Sequence, residues 1–216
     1  MIINGITTKE KFPDFLNGKK FLSLTKNFKE FISLIFPDVS ENDIINCIKS
    51  NGKNINLVIS INGIFKNISI KTGSVSVLKV DYLDNLMLKL VSFGASKRAI
   101  SLLLNYLNLE GDYITDDNDI IALINKELSS YEVLMNLIDY FLINDSNDKK
   151  VHYFYYGNIR RGFVISSEKL KENILDYQYN INQNYLKIGP FNISIYRQEG
   201  QWIYKVKVHN FLKFFN

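Results

Sequence analysis

The stretch Asn56-Leu-Val-Ile-Ser-Ile-Asn-Gly-Ile-Phe-Lys-Asn-Ile-Ser-Ile-Lys71 decides how the rest of the chain is read. Apolar residues recur at alternate positions on both sides of Asn62–Gly63, a dipeptide preferred in two-residue type I′ turns. The spacing predicts a hairpin in which Ile61 faces Ile64, and counting back puts Asn56 opposite Ser69. Strand side chains alternate between faces. One face therefore collects Ile55, Leu57, Ile59, Ile61, Ile64, Ile68 and Ile70, with Lys66 as the exception, and is predicted core. The other face carries Asn56, Ser69 and Lys71 at the end far from the turn.

Before the hairpin, Phe28, Phe31, Ile32 and Ile35 recur at helical spacing, which predicts a helix over Lys26–Phe36 that Pro37 stops. Ser40 reads as the N-cap of a second helix reaching Ser50, with Asp43 at its third position. After the hairpin, helices are predicted over 81–91, 96–107, 118–128 and 130–142. A strand follows at Val151–Tyr156, with turns at Gly157–Asn158 and Gly162. Ser166 or Ser167 caps a helix to Tyr177, and strands close the chain near Phe191–Tyr196 and Trp202–Val208. Strand-rich ends around a helical middle predict an α/β fold, with α+β as the variant. A single domain over residues 1–216 is expected, with a subdomain boundary near the polar run 144–150.

With 46% hydrophobic and 22% charged residues, the composition is that of a folded globule, not a disordered chain. No run of apolar residues is long enough for a membrane helix, so no membrane partner is expected. Cys47 is the only cysteine, which excludes an intramolecular disulfide framework and any multi-cysteine zinc site. A reducing, cytoplasmic setting fits that usage. His152 and His209 have no second donor at metal-ligand spacing, and no glycine-rich phosphate loop, GxSxG elbow or HExxH pattern is present.

The net charge of +4 is unevenly spread. Residues 1–110 carry 14 basic and 9 acidic side chains (+5), 111–150 carry 3 and 9 (−6), and 151–216 carry 9 and 4 (+5). Two basic segments around an acidic middle predict a surface for nucleic acid drawn from the two ends. Arg160–Arg161 beside a turn and Lys97–Arg98 at a helix start are the candidate phosphate contacts, since guanidinium forks match phosphate oxygens.

A Mg²⁺-dependent nuclease needs carboxylates on adjacent strands, because Mg²⁺ takes hard oxygen ligands. It also gains from a nearby lysine that steadies charge on the phosphate. The hairpin supplies that frame with Asn56, Ser69 and Lys71 as the candidate catalytic residues.

On these residues the chain resembles a family. Asn56–Gly63 followed by Ile68-Ser-Ile-Lys-Thr-Gly73 is similar to the core hairpin of PD-(D/E)xK, restriction-endonuclease-like proteins. The likeness is to bacterial defence-type members in particular, which read Asp-x-x-x-x-Ile-Asn-Gly and then Ser-Ile-Lys-x-Gly. It extends to Tyr153–Asn158, to Ile188–Phe191 and to Tyr204–Leu212. The resemblance implies a central mixed sheet flanked by helices, DNA as partner, Mg²⁺ as cofactor of an active member, and a role in antiviral defence.

The chain also departs from that pattern. Asn56 stands where the family places its metal-binding aspartate. Val75-Ser-Val-Leu-Lys-Val80 stands where related members carry Asn-Ser-Val-His-x-Glu. An amide brings no negative charge to a cation, so no metal ligand is assigned and phosphodiester hydrolysis is expected to be attenuated or lost. One alternative is an active restriction-type DNA endonuclease using a carboxylate from Glu30, Glu41 or Asp43. Another is a protein-binding inhibitor in phage–host conflict, and a homodimer is compatible with each reading. Phe211, Leu212, Phe214 and Phe215 are expected to pack on the domain's own core.

Overall fold

The computed structural model describes residues 5–107, 118–177 and 186–215. In chain order, α1 (Gly5–Leu16), β1 (Lys19–Lys20), α2 (Lys26–Ile35) and β2 (Ile44–Lys49) precede the hairpin β3 (Leu57–Ile61) and β4 (Ile64–Lys71). Next come β5 (Val75–Tyr82), α3 (Leu83–Ser92), α4 (Lys97–Leu107), α5 (Asn118–Leu128) and α6 (Tyr131–Ile138). The last group is β6 (Tyr153–Asn158), β7 (Arg161–Ser166), α7 (Ser167–Asp176), β8 (Lys187–Ile188), β9 (Phe191–Gln198) and β10 (Gln201–His209). These residues gather into two compact units, each discontinuous in sequence. One comprises Met1–Ser74, Leu142–Leu170 and Asn210–Asn216, the other Val75–Phe141 and Lys171–His209.

The first unit holds a six-stranded mixed sheet in the order β1-β2-β3-β4-β6-β7. All its pairings are antiparallel except β4 with β6, which run parallel. The hairpin register is the one the sequence dictates, with Ile61 on Ile64 and Leu57 on Ile68. Asn62 and Gly63 both take positive φ, at 50° and 81°, as a type I′ turn requires. One core packs Leu57, Ile59, Ile68 and Ile70 against Phe12 and Leu16 of α1 and Phe28, Phe31, Ile32 and Ile35 of α2. The C-terminal tail is docked within the same unit: Phe211 and Phe214 are buried, and Phe211 stacks 5.9 Å from Phe154.

Two local expectations are corrected. Ser40 and Asp43 do bond each other, Ser40 N–H donating to the Asp43 carboxylate at 2.8 Å, but they close a turn into β2, not a helix. Alternation decides it, since Ile45 and Cys47 are buried while Ile44, Asn46 and Ile48 are exposed, and β2 pairs with both β1 and β3. Ile64, read as core, is 58% exposed because it opens β4 at the turn, among the exposed neighbours Asn62, Gly63 and Phe65.

The parallel join of β4 to β6 begins with an exchange around His152. His152 N–H donates to the Asn67 carbonyl, and Asn67 N–H donates to His152 Nδ1, both at 2.8 Å. Burial and the nearby Lys66 charge push the His152 pKa below its ordinary value, against a smaller opposite pull from Glu168. The unfolded chain therefore takes up this proton at higher pH than the folded one. The stabilisation is complete above about pH 6.5 and is lost as pH falls below it. The melting midpoint is expected to drop between pH 7 and pH 5, and His152→Gln to flatten that drop in a thermal scan.

The second unit holds an antiparallel sheet in the order β5-β10-β9-β8, together with α3 to α6. Tyr204, Val206 and Val208 of β10 and Phe191 and Ile193 of β9 form its buried face.

Candidate nucleic-acid interface

The hairpin brings Asn56, Ser69 and Lys71 to one end of the six-stranded sheet. Asn56 extends the β3–β4 ladder by one residue, its N–H donating to the Ile68 carbonyl at 2.9 Å. Its carbonyl accepts from Ser50 N–H at 2.8 Å, and its side-chain Oδ1 accepts from Ile70 N–H at 2.7 Å. The Asn56 amide oxygen thus satisfies the backbone between Ser69 and Lys71. Ser69 is fully buried, and its hydroxyl has no hydrogen-bond partner among the described residues.

Lys71 ends β4 opposite Tyr156 of β6. Burial, followed by the charges of Lys9 and Lys53, lowers its pKa to about 8. Among the described residues, the charges that act on this amine are those of Lys9 and Lys53. Lys9 of α1 is itself depressed by burial. Glu10, next to Lys9 on α1, is half-exposed and 3.7 Å from Lys49.

Of the acids considered as replacements, Asp43 and Glu41 lie at the other end of the hairpin, whereas Glu30 follows Asn27 by one helical turn, and Asn27 reaches the Ile159 carbonyl in the β6–β7 turn at 3.4 Å. Asp43 accepts from Ser40 N–H, and that bond, followed by one from the Asn62 side chain, holds its pKa below the ordinary range. Asn62 sits at the hairpin turn, so Asp43 is a whole strand length, roughly 23 Å, from Lys71. Glu41 belongs to the same turn region, its carbonyl accepting from Leu22 N–H, and Glu30 is exposed on α2. Among the described residues, no three His, Cys, Asp or Glu side chains form a group that could hold a metal ion.

The cations sort into two sets. Arg160 and Arg161 sit at the β6–β7 turn, both exposed, their N–H groups donating to Asn158 Oδ1 at 2.8 and 3.1 Å. Because β6 runs parallel to β4 with Tyr156 level with Lys71, this turn lies just beyond the Lys71 end of the sheet. Lys97 and Arg98 are exposed at the start of α4 in the other unit. Lys9 and Lys53 are additions that only tertiary structure supplies, and neither forms a motif with Lys71 in the sequence.

No family model and no curated protein matches the sequence. The structure is similar to that of restriction endonuclease MspI in complex with its cognate DNA, with a TM-score of 0.56. The alignment covers 94% of this chain and 91% of that one, at 9% identity. The fold is restriction-endonuclease-like. At that identity the likeness concerns the path of the chain, and the chemistry must be read from the residues themselves. No helix among the described residues is long and apolar enough to cross a membrane.

Proposed function

We propose that this chain binds nucleic acid, DNA in the first place, through the Lys71 end of its six-stranded sheet, and that it hydrolyses phosphodiesters poorly or not at all. One observation carries the reading: the lysine at the end of this hairpin feels the positive charges of Lys9 and Lys53, and the side chain beside it at Asn56 is an amide. Such a site attracts a phosphate directly, without a bridging cation. Arg160 and Arg161 at the same end add two guanidinium forks. The similar fold in restriction endonuclease MspI, solved with its cognate DNA, supports the choice of partner.

Two measurements test the two halves. Supercoiled plasmid with Mg²⁺ or Mn²⁺ is expected to stay intact, and Lys71→Ala to change nothing. Metal-dependent nicking that Lys71→Ala abolishes would refute the loss of hydrolysis. For binding, the logarithm of affinity should fall linearly with the logarithm of salt concentration. Lys71→Ala and the double change Arg160→Ala, Arg161→Ala should each make that slope shallower, by about 1 for every phosphate no longer neutralised. Affinity should also weaken as pH rises through about 8, where Lys71 loses its charge, and Lys71→Ala should remove this dependence. A salt-independent affinity would count against the site.

A further inference from the structure

The sheet of the second unit carries a face with a lysine column, and the acid beside it is Glu199, in the β9–β10 turn next to Val80 and Tyr82. Cross-strand partners share a face, so Tyr204, Val206 and Val208 mark the buried side. The opposite side can be read column by column. On the edge strand β5 it shows Val75, Val77, Val80 and Tyr82, paired with His209, Lys207, Lys205 and Ile203 of β10. The register shift between Val206 and Lys207 keeps that β5 column on one face across Leu78. Beyond β10, Asn192, Ser194 and Tyr196 of β9 follow in the same rows. Asp81 is the only acid in these four strands; it pairs with Tyr204 on the buried side, and its carboxylate lies 2.6 Å from Lys79.

Val77, Val80 and Tyr82 are each more than half exposed, which is unusual for three neighbouring residues on an edge strand that no other described strand covers. The lysine column beside them selects the occupant. Lys205 and Lys207 are two residues apart, about 6.7 Å along the strand, and the apolar column lies one strand spacing away, about 4.8 Å. A single strand has a charged backbone and unpaired bases side by side, matching one column each. A duplex would leave the apolar column unused, and a bilayer would gain nothing from Ser194, exposed on the other flank of the lysines.

We infer that this face binds single-stranded nucleic acid, its phosphates along Lys205 and Lys207 and its bases against Val77, Val80 and Tyr82. The inference rests on nucleic acid being the partner, but not on the Lys71 end. The test measures binding of the whole chain to an oligothymidylate and to a hairpin duplex at low salt. Lys205→Glu with Lys207→Glu should weaken oligothymidylate binding at least about tenfold and leave duplex binding nearly unchanged. Tyr82→Ala should weaken the single strand about fivefold or more through lost stacking. Melting midpoints, and the milder pair Lys205→Gln with Lys207→Gln, separate a weakened binding face from a damaged fold. Unchanged oligothymidylate affinity in the charge-reversed protein would overturn the inference and leave the Lys71 reading standing. Binding lost there but insensitive to Lys71→Ala and the arginine changes would support the inference and overturn the Lys71 site. No binding of either nucleic acid by the unaltered chain would overturn both. Lysine-dependent binding to vesicles containing phosphatidylserine, without an effect on the oligonucleotide, would overturn the inference in favour of a membrane surface.

Discussion

Tyr155→Ala is expected to destabilise the protein by about 4 kcal/mol, the cost of truncating a fully buried aromatic ring. The side chain is 1% exposed, and its ring meets Phe12 and Phe31 edge-on at 4.9 and 5.3 Å. These contacts join β6 to α1 and α2, so the cavity would open at the centre of the first unit's core. Its hydroxyl also donates to the Asn158 carbonyl at 2.6 Å, which fixes the turn carrying Arg160 and Arg161. Gly162 completes the arrangement, since a Cβ there would lie 2.1 Å from the Tyr155 ring. The two functions of the residue can be separated. Tyr155→Phe keeps the ring and should cost only about 1 kcal/mol for the lost hydrogen bond, while loosening the arginine turn and weakening DNA binding. Urea unfolding of both variants checks the ratio; equal losses would mean that the hydroxyl, not the ring, dominates.

The hairpin is legible because three independent signals agree within 16 residues: alternation, the Asn62–Gly63 turn and a register that aligns both apolar faces. Helix α5 is legible for a similar reason, matching the predicted span of Asn118–Leu128. Where signals conflict, local reading fails. Pro13 within α1 hides a helix that supplies Phe12, Leu16 and Lys9 to the first unit. Ser40 and Asp43 carry the local chemistry of a helix cap, yet β2 is fixed by pairing on both edges, which no local window contains. Strand β5 escapes a pattern search because Leu78 interrupts its alternation at the register shift, so the exposed column falls on odd and then even positions. Asn56, Ser69 and Lys71 come together as the predicted register requires, because they share one hairpin. Lys9 and Lys53 are not legible in this way, because their link to Lys71 is spatial.

Asp145→Ala should cost about 3 kcal/mol or more, although Asp145 sits in the polar run 144–150 that reads as an ordinary surface loop. Its carboxylate accepts from the N–H groups of Lys53, Asn54 and Ile55 at 3.0, 2.8 and 2.6 Å, and from Ser146 N–H at 2.6 Å. Partial burial works against its charge, but the bonds from Ile55, Ser146, Asn54 and Lys53 outweigh it and hold the pKa at about 2. The space is so fully used that a Cβ on Gly52 would lie 2.5 Å from the carboxylate. Alanine leaves the donors before β3 without a partner, each costing about 1–3 kcal/mol where water cannot replace the lost acceptor. Asp145→Asn retains an acceptor oxygen and should lose about half as much. The sign with pH follows from the depressed pKa: the contribution is complete above the ordinary value of 3.8 and disappears as pH falls through about 2. The variant should therefore lack that part of the parent's acid sensitivity. The functional consequence distinguishes this anchor from a merely stabilising one. The anchored segment carries Lys53, whose charge helps to depress Lys71. Releasing it should raise the Lys71 pKa above 8 and move the pH dependence of DNA binding upward with it. A folded Asp145→Ala protein whose DNA binding still weakens at the same pH would show that Lys53 does not act on Lys71.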